Sequence, residues 1–373
     1  MLSSTVRRRR WFTLPGAVLL TFALVGQAAA LAWGPPKALT TGTDVYFADL
    51  ATAGGTALAV YAETDGEVSS IFARRSTDSG NTWKSPVLLA NGIWPSVAGR
   101  GSNFDVVWRA PSGRLRYARS TDSGATFSAP VALTALGRYV SVPTVARGPN
   151  GVVAVAWEDV ASGAIKVRVS VNGGVSFAPA STLSTAGEES GTAVAVGDGV
   201  IYVAYFAGSE RIRIKRSFDG GASWSAAAVV TDNAWLSGVS LTAAGTRAYV
   251  AYTGPNTDTN IFRARYRATT DNGATWSSAR ALGPKTWTTY DPDISLQGGV
   301  ARAAFTRCDF DFDVCVNERV YYRQQQIGSS WTAPERVSPT TLGEARTPRV
   351  GYTGKALVLY LGDFLPYVRA GSQ

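Results

Sequence analysis

One eight-residue phrase recurs along most of this chain at a nearly fixed interval. Ser76-Thr-Asp78-Ser-Gly80-Asn-Thr82-Trp83 is the clearest copy, and others run Ser120–Phe127, Ser170–Phe177, Ser217–Trp224 and Thr269–Trp276. A worn sixth copy, Gln324–Trp331, keeps only Gly328, Ser330 and Trp331. From Asp78 through Asp122, Asn172, Asp219 and Asp271 to Gln326 the steps are 44, 50, 47, 52 and 55 residues. Self-similarity at a period near ~50 residues marks a repeat architecture, in which each unit buries its apolar face only against its neighbours.

The phrase is a turn with a mechanism. Its Asp accepts hydrogen bonds from backbone amides further along, its Gly takes a conformation other residues avoid, and the aromatic that follows begins the next strand. Before each copy lies a run in which apolar and basic residues alternate, such as Leu115-Arg-Tyr-Ala-Arg119 and Ile212-Arg-Ile-Lys-Arg216. That is the pattern of a strand buried on one face. Further upstream are runs that are apolar throughout, such as Val152–Trp157 and Val200–Tyr205, suited to strands buried on both faces. Each unit therefore reads as four strands, A to D from inside outward, with the phrase at the C–D turn. That is one blade of an all-β propeller.

The repeated phrase resembles the Asp-box, or BNR, repeat of the sialidase superfamily, and the resemblance covers nearly all of the chain after residue 32. It implies a propeller with these turns on one rim, where they stabilise the blade and take no part in catalysis. The C-terminal segment supplies strands A, B and C of a further blade at Pro348–Val350, Lys355–Tyr360 and Tyr367–Ser372, and stops where another turn is due. The missing outer strand is at the other end, because Trp33-Gly-Pro-Pro-Lys-Ala-Leu39 reads like Trp83–Leu89, Phe127–Leu133 and Trp331–Val337. Residues 33–41 are thus expected to complete a seventh blade and to remove the exposed sheet edges. The alternative is the six-bladed ring of catalytic sialidases, with one repeat misread.

Residues 1–32 stand apart from this pattern and 33–373 read as a single domain. Arg7–Arg10 precede an apolar run, Phe12–Val25, which ends in Ala28-Ala29-Ala30 and Ala30-Leu31-Ala32. This predicts a secretory signal cleaved after Ala30 or Ala32, and Arg9-Arg10-Trp11-Phe12 also resembles a twin-arginine signal. An uncleaved anchor is the alternative, although Pro15 interrupts a short core. No second stretch is apolar enough to span a membrane. Without Arg7–Arg10 the formal charge falls from +9 to +5, and the charges sit on alternating strand positions rather than in a cluster, which argues against a nucleic-acid partner. Cys308 and Cys315, the two cysteines, are expected to form a disulfide in an oxidising compartment.

The sequence has no histidine, which excludes a Ser-His-Asp triad, a Cys-His pair and a His-based metal centre. Carboxylate, arginine and tyrosine chemistry remain, or binding without turnover. If the repeated turns mark one face, the D–A and B–C connections share the other, over the central channel. Aromatics fall there at Tyr46, Trp94, Tyr139, Trp235 and Tyr290, with Glu63, Arg109, Glu158, Asp159, Arg307 and Asp363 at strand-B ends. Arg138, Arg346, Glu188, Glu189 and Asp291 enter from D–A loops. A mouth lined this way suits a sugar, with Trp94, Tyr139, Trp235, Tyr290, Arg138 and Asp363 as ligand-binding candidates. The same aromatics could instead plug the channel and pack between blades. Asp309, Asp311 and Asp313 could hold a calcium ion or form a solvated loop tip; no other cofactor is expected.

The resemblance implies two functional readings. In an exo-sialidase, three arginines hold the substrate carboxylate, a tyrosine paired with glutamate is the nucleophile, and an aspartic acid is the acid/base. Here Arg346-Thr-Pro348 keeps part of the family's arginine motif, Arg109 and Arg307 could complete the trio, Tyr290 with Glu158 could be the nucleophile pair, and Asp291 or Asp363 the acid. Ala345 replaces that motif's aromatic. In the other reading the chain is a secreted monomeric propeller that recognises a glycan or an extracellular protein, as non-catalytic propellers of this kind do. A glycosidase using two of Glu63, Glu158, Asp291 and Asp363 is a third arrangement.

Overall fold

The computed structural model describes residues 30–372, apart from 43, 185–188, 209, 257–260 and 312–313. Seven antiparallel sheets follow one another along the chain, spanning 45–91, 93–132, 140–182, 189–231, 235–281 and 288–336, with the seventh built from 345–372 and the N-terminal strands Ala32–Trp33 and Lys37–Ala38. In the first six, strands A to D lie side by side in chain order, and in the seventh strands A to C do, with the N-terminal strands as D. The fold is a seven-bladed all-β propeller, and the seventh blade is the split one that the repeats predict.

The core repeats with the sequence. Strand B is buried on both faces in every blade, and each carries one buried aromatic at the same register: Tyr61, Trp108, Trp157, Tyr205, Tyr252, Phe305 and Tyr360. Apolar side chains of adjacent blades interdigitate, as where Leu58, Val60 and Ile71 of blade 1 meet Val97, Phe104 and Val106 of blade 2. Burying each such side chain is worth about 1.5–3 kcal/mol, so inter-blade contact supplies much of the stability.

The repeated turns are built alike. In blade 1 the Ser76 hydroxyl donates to Asp78 (2.8 Å) and accepts from the Gly80 amide (2.9 Å), while Asp78 accepts from the Thr82 amide (2.9 Å) and hydroxyl (2.6 Å). Blades 2, 4 and 5 repeat this with Asp122, Asp219 and Asp271. In blade 3 the Asn172 carboxamide accepts from the Ser176 amide and donates to its hydroxyl, an uncharged version of the same turn.

These turns also lock neighbouring blades together. An added Cβ on Gly80 would lie 2.6 Å from Leu357 of blade 7, and one on Gly124 3.1 Å from Leu58 of blade 1. Gly174, Gly221 and Gly273 seat in the same way on Asp105, Val169 and Tyr202 of the preceding blade. The left-handed backbone at these positions and the lack of room both require glycine. The worn turn of blade 6 leaves Gly328 with nothing within 4 Å, and blade 7 has no such turn.

Ring closure is antiparallel, with Trp33 opposite Gly371 and Lys37 opposite Val368. The Trp33 ring meets Tyr322 of blade 6 edge-on at 5.2 Å, and its indole N–H donates to Glu335. The sheet begins at Ala32, and Leu31 is buried with its amide donating to Glu335 at 2.9 Å, so the propeller takes in two residues that the sequence pattern places in the leader. Blade 6 carries the longest hairpin, Val300–Asp311 with Val314–Gln326, cross-linked by a Cys308–Cys315 disulfide.

Trp33→Ala removes a half-buried ring at the seam and should cost about 2 kcal/mol, measurable as a lower urea midpoint with m unchanged. Asp219 is held down to about 2 by the Ser223 hydroxyl and amide and by Ser217, and Asp78 to about 2 where burial, which raises it, is outweighed by Thr82 and Ser76. A depressed carboxyl contributes stability that is present above its unfolded value and lost as pH falls through its folded one. Replacing Asp78, Asp122, Asp219 and Asp271 by Asn should therefore flatten the fall in stability between about pH 4 and about pH 2, with the blade 3 turn as the natural precedent. An unchanged acid profile would show that these carboxylates do not govern it.

Candidate functional site

The mouth opposite the repeated turns is shaped by a β-bulge in strand A of every blade, where the register slips at Val45/Phe47, Ile93/Ser96, Ser141/Thr144, Ser190/Thr192, Trp235/Val239, Tyr290/Asp293 and Arg346/Arg349. In four blades the bulge is a residue of positive φ followed by proline: Trp94 (55°), Val142 (34°), Asp291 (45°) and Thr347 (48°). Proline cannot donate to the ladder, and a bulky or β-branched residue at positive φ is strained, so these backbones are held by their surroundings. Gly191 and Gly238 serve in blades 4 and 5. The bulges rim a channel of about 400 Å³ that Tyr46, Phe47, Trp94, Asp291 and Thr347 line.

Below the rim, one position of each strand A faces its neighbours across the channel: Asp49, Ser96, Thr144, Ala193, Ser240, Asp293 and Arg349. All but Ala193 carry polar side chains that stitch blades together. Asp49 accepts from the Val97 amide (2.9 Å), Thr144 meets Thr192 (3.1 Å), and Asp293 accepts from the Ser240 hydroxyl (2.7 Å) and the Val350 amide (2.8 Å). The charges fall only on blades 6, 7 and 1. The Arg349 guanidinium lies 3.3 Å from Asp49, and burial, which disfavours its charge, is outweighed by the carboxylates of Asp293 and Asp49, which hold its pKa up.

The same three blades frame a second recess of about 410 Å³, lined among others by Tyr46, Tyr290, Glu318, Arg346 and Phe364. The Tyr290 hydroxyl donates to Glu318, and Arg346 lies 3.9 Å from Glu318 and 4.0 Å from Glu344. Burial, followed by the Glu318 hydrogen bond and charge, pushes the Tyr290 phenol far up. Glu318 sits in a bulge of the long hairpin, where Arg319 pairs with Arg307 and Val316 with Asp309. The disulfide fixes this segment, and the Cys315 sulfur lies 3.5 Å from the Tyr290 hydroxyl. Chemically this is a neutral phenol whose proton has a carboxylate ready to take it, beside a guanidinium.

The other sequence-derived candidates are dispersed. Glu158 belongs to blade 3, far along the ring from Tyr290 of blade 6, and burial pushes its carboxyl up. The tyrosine–glutamate pair is therefore Tyr290 with Glu318. Arg109 stacks on Trp94 (4.1 Å to the ring centre) and Arg307 on Trp287 (4.4 Å), Arg307 also pairing with Asp309 at 2.8 Å, so each is engaged on its own blade rather than beside Arg346. Asp363 accepts from the Gly343 and Glu344 amides in a two-residue hairpin turn with Phe364, both at positive φ. Arg138 lies 4.0 Å from Asp159, which Lys166 also binds at 2.9 Å. Tyr139 and Trp235 are more than half exposed, Trp235 packing on Phe262. Glu63 accepts from Thr40. Among the described residues no group of three or more acidic or cysteine side chains could hold a metal; Glu188 and Asp313 lie outside them, as do the Glu189 and Asp311 side chains.

Sequence reasoning missed Glu318, Phe47 and Phe364. Phe47 and Phe364 are about 40% and 46% exposed, and with Tyr46 and Trp94 they form an aromatic arc over blades 7, 1 and 2: Tyr46 meets Phe364 at 6.1 Å, Phe47 meets Trp94 at 5.9 Å, and Arg346 lies over Phe364. Removing the Glu318 charge should lower the Tyr290 pKa. A 3-fluorotyrosine placed at position 290 should titrate at lower pH in Glu318→Gln than in the parent, read by ¹⁹F NMR; an unmoved titration would mean burial alone sets it.

No family model matches the chain, and no curated protein sequence matches it significantly. Its fold does match solved structures. A Hadza microbial sialidase aligns with TM-score 0.53 and 16% identity over 70% of this chain and 63% of that one. A protein of unknown function from Dyadobacter fermentans aligns at 0.54 and 12%, over 79% and 99%. YCF48 bound to D1 peptide aligns at 0.52 and 13%, over 91% and 95%. The chain spans 63% of the Hadza sialidase and 55% of a Trypanosoma rangeli sialidase. At these identities the likeness is one of fold, and in fold the chain is a seven-bladed, sialidase-like β-propeller.

Proposed function

We propose that this is an exported propeller that recognises an extracellular ligand, a glycan in the first instance, on the mouth formed by its D–A and B–C connections. The observation that carries this reading is the aromatic arc in which Tyr46, Phe47 and Phe364 are left exposed beside a half-buried Trp94 on a rigid rim, with Arg109 and Arg346 stacked into it. Solvent-facing aromatics are costly for a chain that could replace them, and flat faces beside guanidinium groups suit C–H surfaces and acidic or hydroxyl substituents of sugars. A peptide ligand fits the same features, and the fold likeness to YCF48 bound to D1 peptide supports keeping it as the second arm of the test. Screening of glycans and of extracellular peptides should find a ligand whose affinity falls about tenfold or more in Trp94→Ala and Tyr46→Ala, and is unchanged in Asp122→Asn on the opposite rim. Binding indifferent to the mouth variants would overturn the proposal.

A second reading, exo-sialidase, rests on the Tyr290–Glu318 pair with Arg346 beside it. Glu318 would accept the phenolic proton as Tyr290 attacks the anomeric carbon, while the glycosidic C–O bond breaks and the leaving alcohol takes a proton from the Asp291 or Asp363 carboxyl that lines the recess. Against it, one arginine stands at this recess where the family resemblance implies three. Turnover of a fluorogenic sialoside, abolished in both Tyr290→Phe and Glu318→Gln, would establish it; a folded, inactive wild type would remove it.

Export would also be visible at the N-terminus. Leu31 is buried with its amide on Glu335, which favours cleavage after Ala30 over cleavage after Ala32. N-terminal sequencing of exported protein should begin at Leu31.

A further inference from the structure

The split blade leaves a gap on the rim that carries the repeated turns. At five junctions the turn glycine of one blade covers strands B and C of the preceding blade. Blade 7 has no such turn to lay over blade 6, and a cleft of about 1160 Å³ remains there, lined by Arg302, Gln324, Gln326, Trp331, Tyr352 and Lys355, among others.

The charge in this cleft is unusual. Arg302 occupies the position in blade 6 that Asp105 occupies in blade 2, three residues before the strand-B aromatic. In blade 2 the charge is fully answered: Asp105 binds Arg147 of blade 3 and the Tyr117 hydroxyl, and the blade 3 turn closes over it through Gly173 and Gly174. In blade 6 the residue facing Arg302 from the next blade, at the position of Arg147, is Tyr352, which offers only its ring, 3.8 Å from the guanidinium. Arg302 is 4% exposed, its Nη1 donates to the Gln297 and Val300 carbonyls, and its Nε finds no hydrogen-bond partner. Among the described residues no carboxylate lies within 4.0 Å of it. A buried guanidinium without a counter-charge is costly, and burial pulls its pKa down.

We propose that this cleft is an oxyanion-binding site, in which Arg302 at the floor and Lys355 at the rim take a carboxylate, sulfate or phosphate group and the Gln324 and Gln326 carboxamides contact what it is attached to. The group supplies the charge that Arg147 and Asp105 supply to one another in blade 2, and takes the space that a turn takes at the other junctions. It comes either from a free inorganic anion or from the acidic group of a sugar. The site is independent of the mouth, which lies on the opposite rim.

The test is calorimetric titration of the full chain with sodium sulfate and with glucuronate, against chloride at matched ionic strength, alongside intrinsic tryptophan fluorescence. Wild type should bind sulfate, glucuronate or both more tightly than chloride, with a change in tryptophan emission that is lost in Trp331→Phe and a rise in melting temperature that grows with ligand concentration. Sulfate alone assigns a free inorganic anion; glucuronate more tightly than sulfate assigns a sugar acid. Arg302→Met should abolish the binding, and Lys355→Gln, a half-buried change that keeps a side-chain amide donor for Asn81 while removing the charge, should weaken it about fivefold or more. Equal responses to sulfate, glucuronate and chloride in the wild type, or binding undiminished in Lys355→Gln and Arg302→Met, would overturn the proposal. If Arg302→Met does not fold, Lys355→Gln together with Gln326→Ala decides it by the same criterion.

Discussion

Everything in this molecule depends on closing a ring from two chain ends. Each blade can bury its two faces only against a neighbour, so an open array would leave two apolar faces in water. Closure is made by Ala32–Trp33 and Lys37–Ala38 laid along Leu365–Ser372, more than 300 residues apart in sequence, and fastened by Trp33 against Tyr322 and Glu335. Such distant pairing costs loop entropy that is recovered only when the last blade docks. The split has a second consequence. A blade assembled from two ends cannot carry a C–D turn, because that is where its chain is interrupted. The seam therefore differs chemically from the five junctions that a turn glycine covers, and the Arg302 cleft lies there.

The charged chemistry of the opposite rim gathers in the same sector. Asp293, Arg349 and Asp49 belong to blades 6, 7 and 1, as do Tyr290, Glu318, Arg346 and Tyr46, while blades 2 to 5 present Ser96, Thr144, Ala193 and Ser240 at the equivalent channel position. Neutral hydroxyls can stitch one blade to the next by accepting a single amide. The Asp293–Arg349–Asp49 run does more, because the cation sits between two carboxylates that are each already fixed by a backbone amide of the following blade. The arrangement holds three blades at a defined angle across the seam, and so fixes the walls of the Tyr290–Glu318 recess. Strain is concentrated at this level too: the positive-φ residues before proline at Trp94, Val142, Asp291 and Thr347 all stand on the mouth rim.

How much of this could be read from the sequence follows from the range of each interaction. The turns were legible because a hydroxyl, a carboxylate or carboxamide, a glycine and a second hydroxyl must fall at fixed offsets within eight residues, and the buried strand-B aromatics because they repeat at one register. The closing strand was legible because Trp33–Leu39 has the composition of the other outer strands. The site was only partly legible. Trp94 and Tyr46 were found from their place before an inner strand, but Glu318 was not, because its meeting with Tyr290 depends on a bulge opposite Cys308 that only the pairing of two long strands defines. Glu158, chosen as the partner by its place at a strand-B end, belongs to blade 3; equivalence between blades says which side of the ring a residue faces, and nothing about which residues meet.

The same limit explains the arginines. Arg109, Arg307 and Arg346 all reach the mouth rim, and sequence could group them only by that fact. In the folded ring each first finds an aromatic of its own blade, Trp94, Trp287 or Phe364, because a planar guanidinium keeps most of its hydration while stacked and loses it when buried beside another cation. Three cations converge on one point only when an anion is there to hold them or carboxylates are built in behind them. At the Tyr290 recess the built-in carboxylates, Glu318 and Glu344, are enough for one arginine. That charge count, rather than the distance between blades, sets a recess with a single guanidinium apart from one organised around a bound acid.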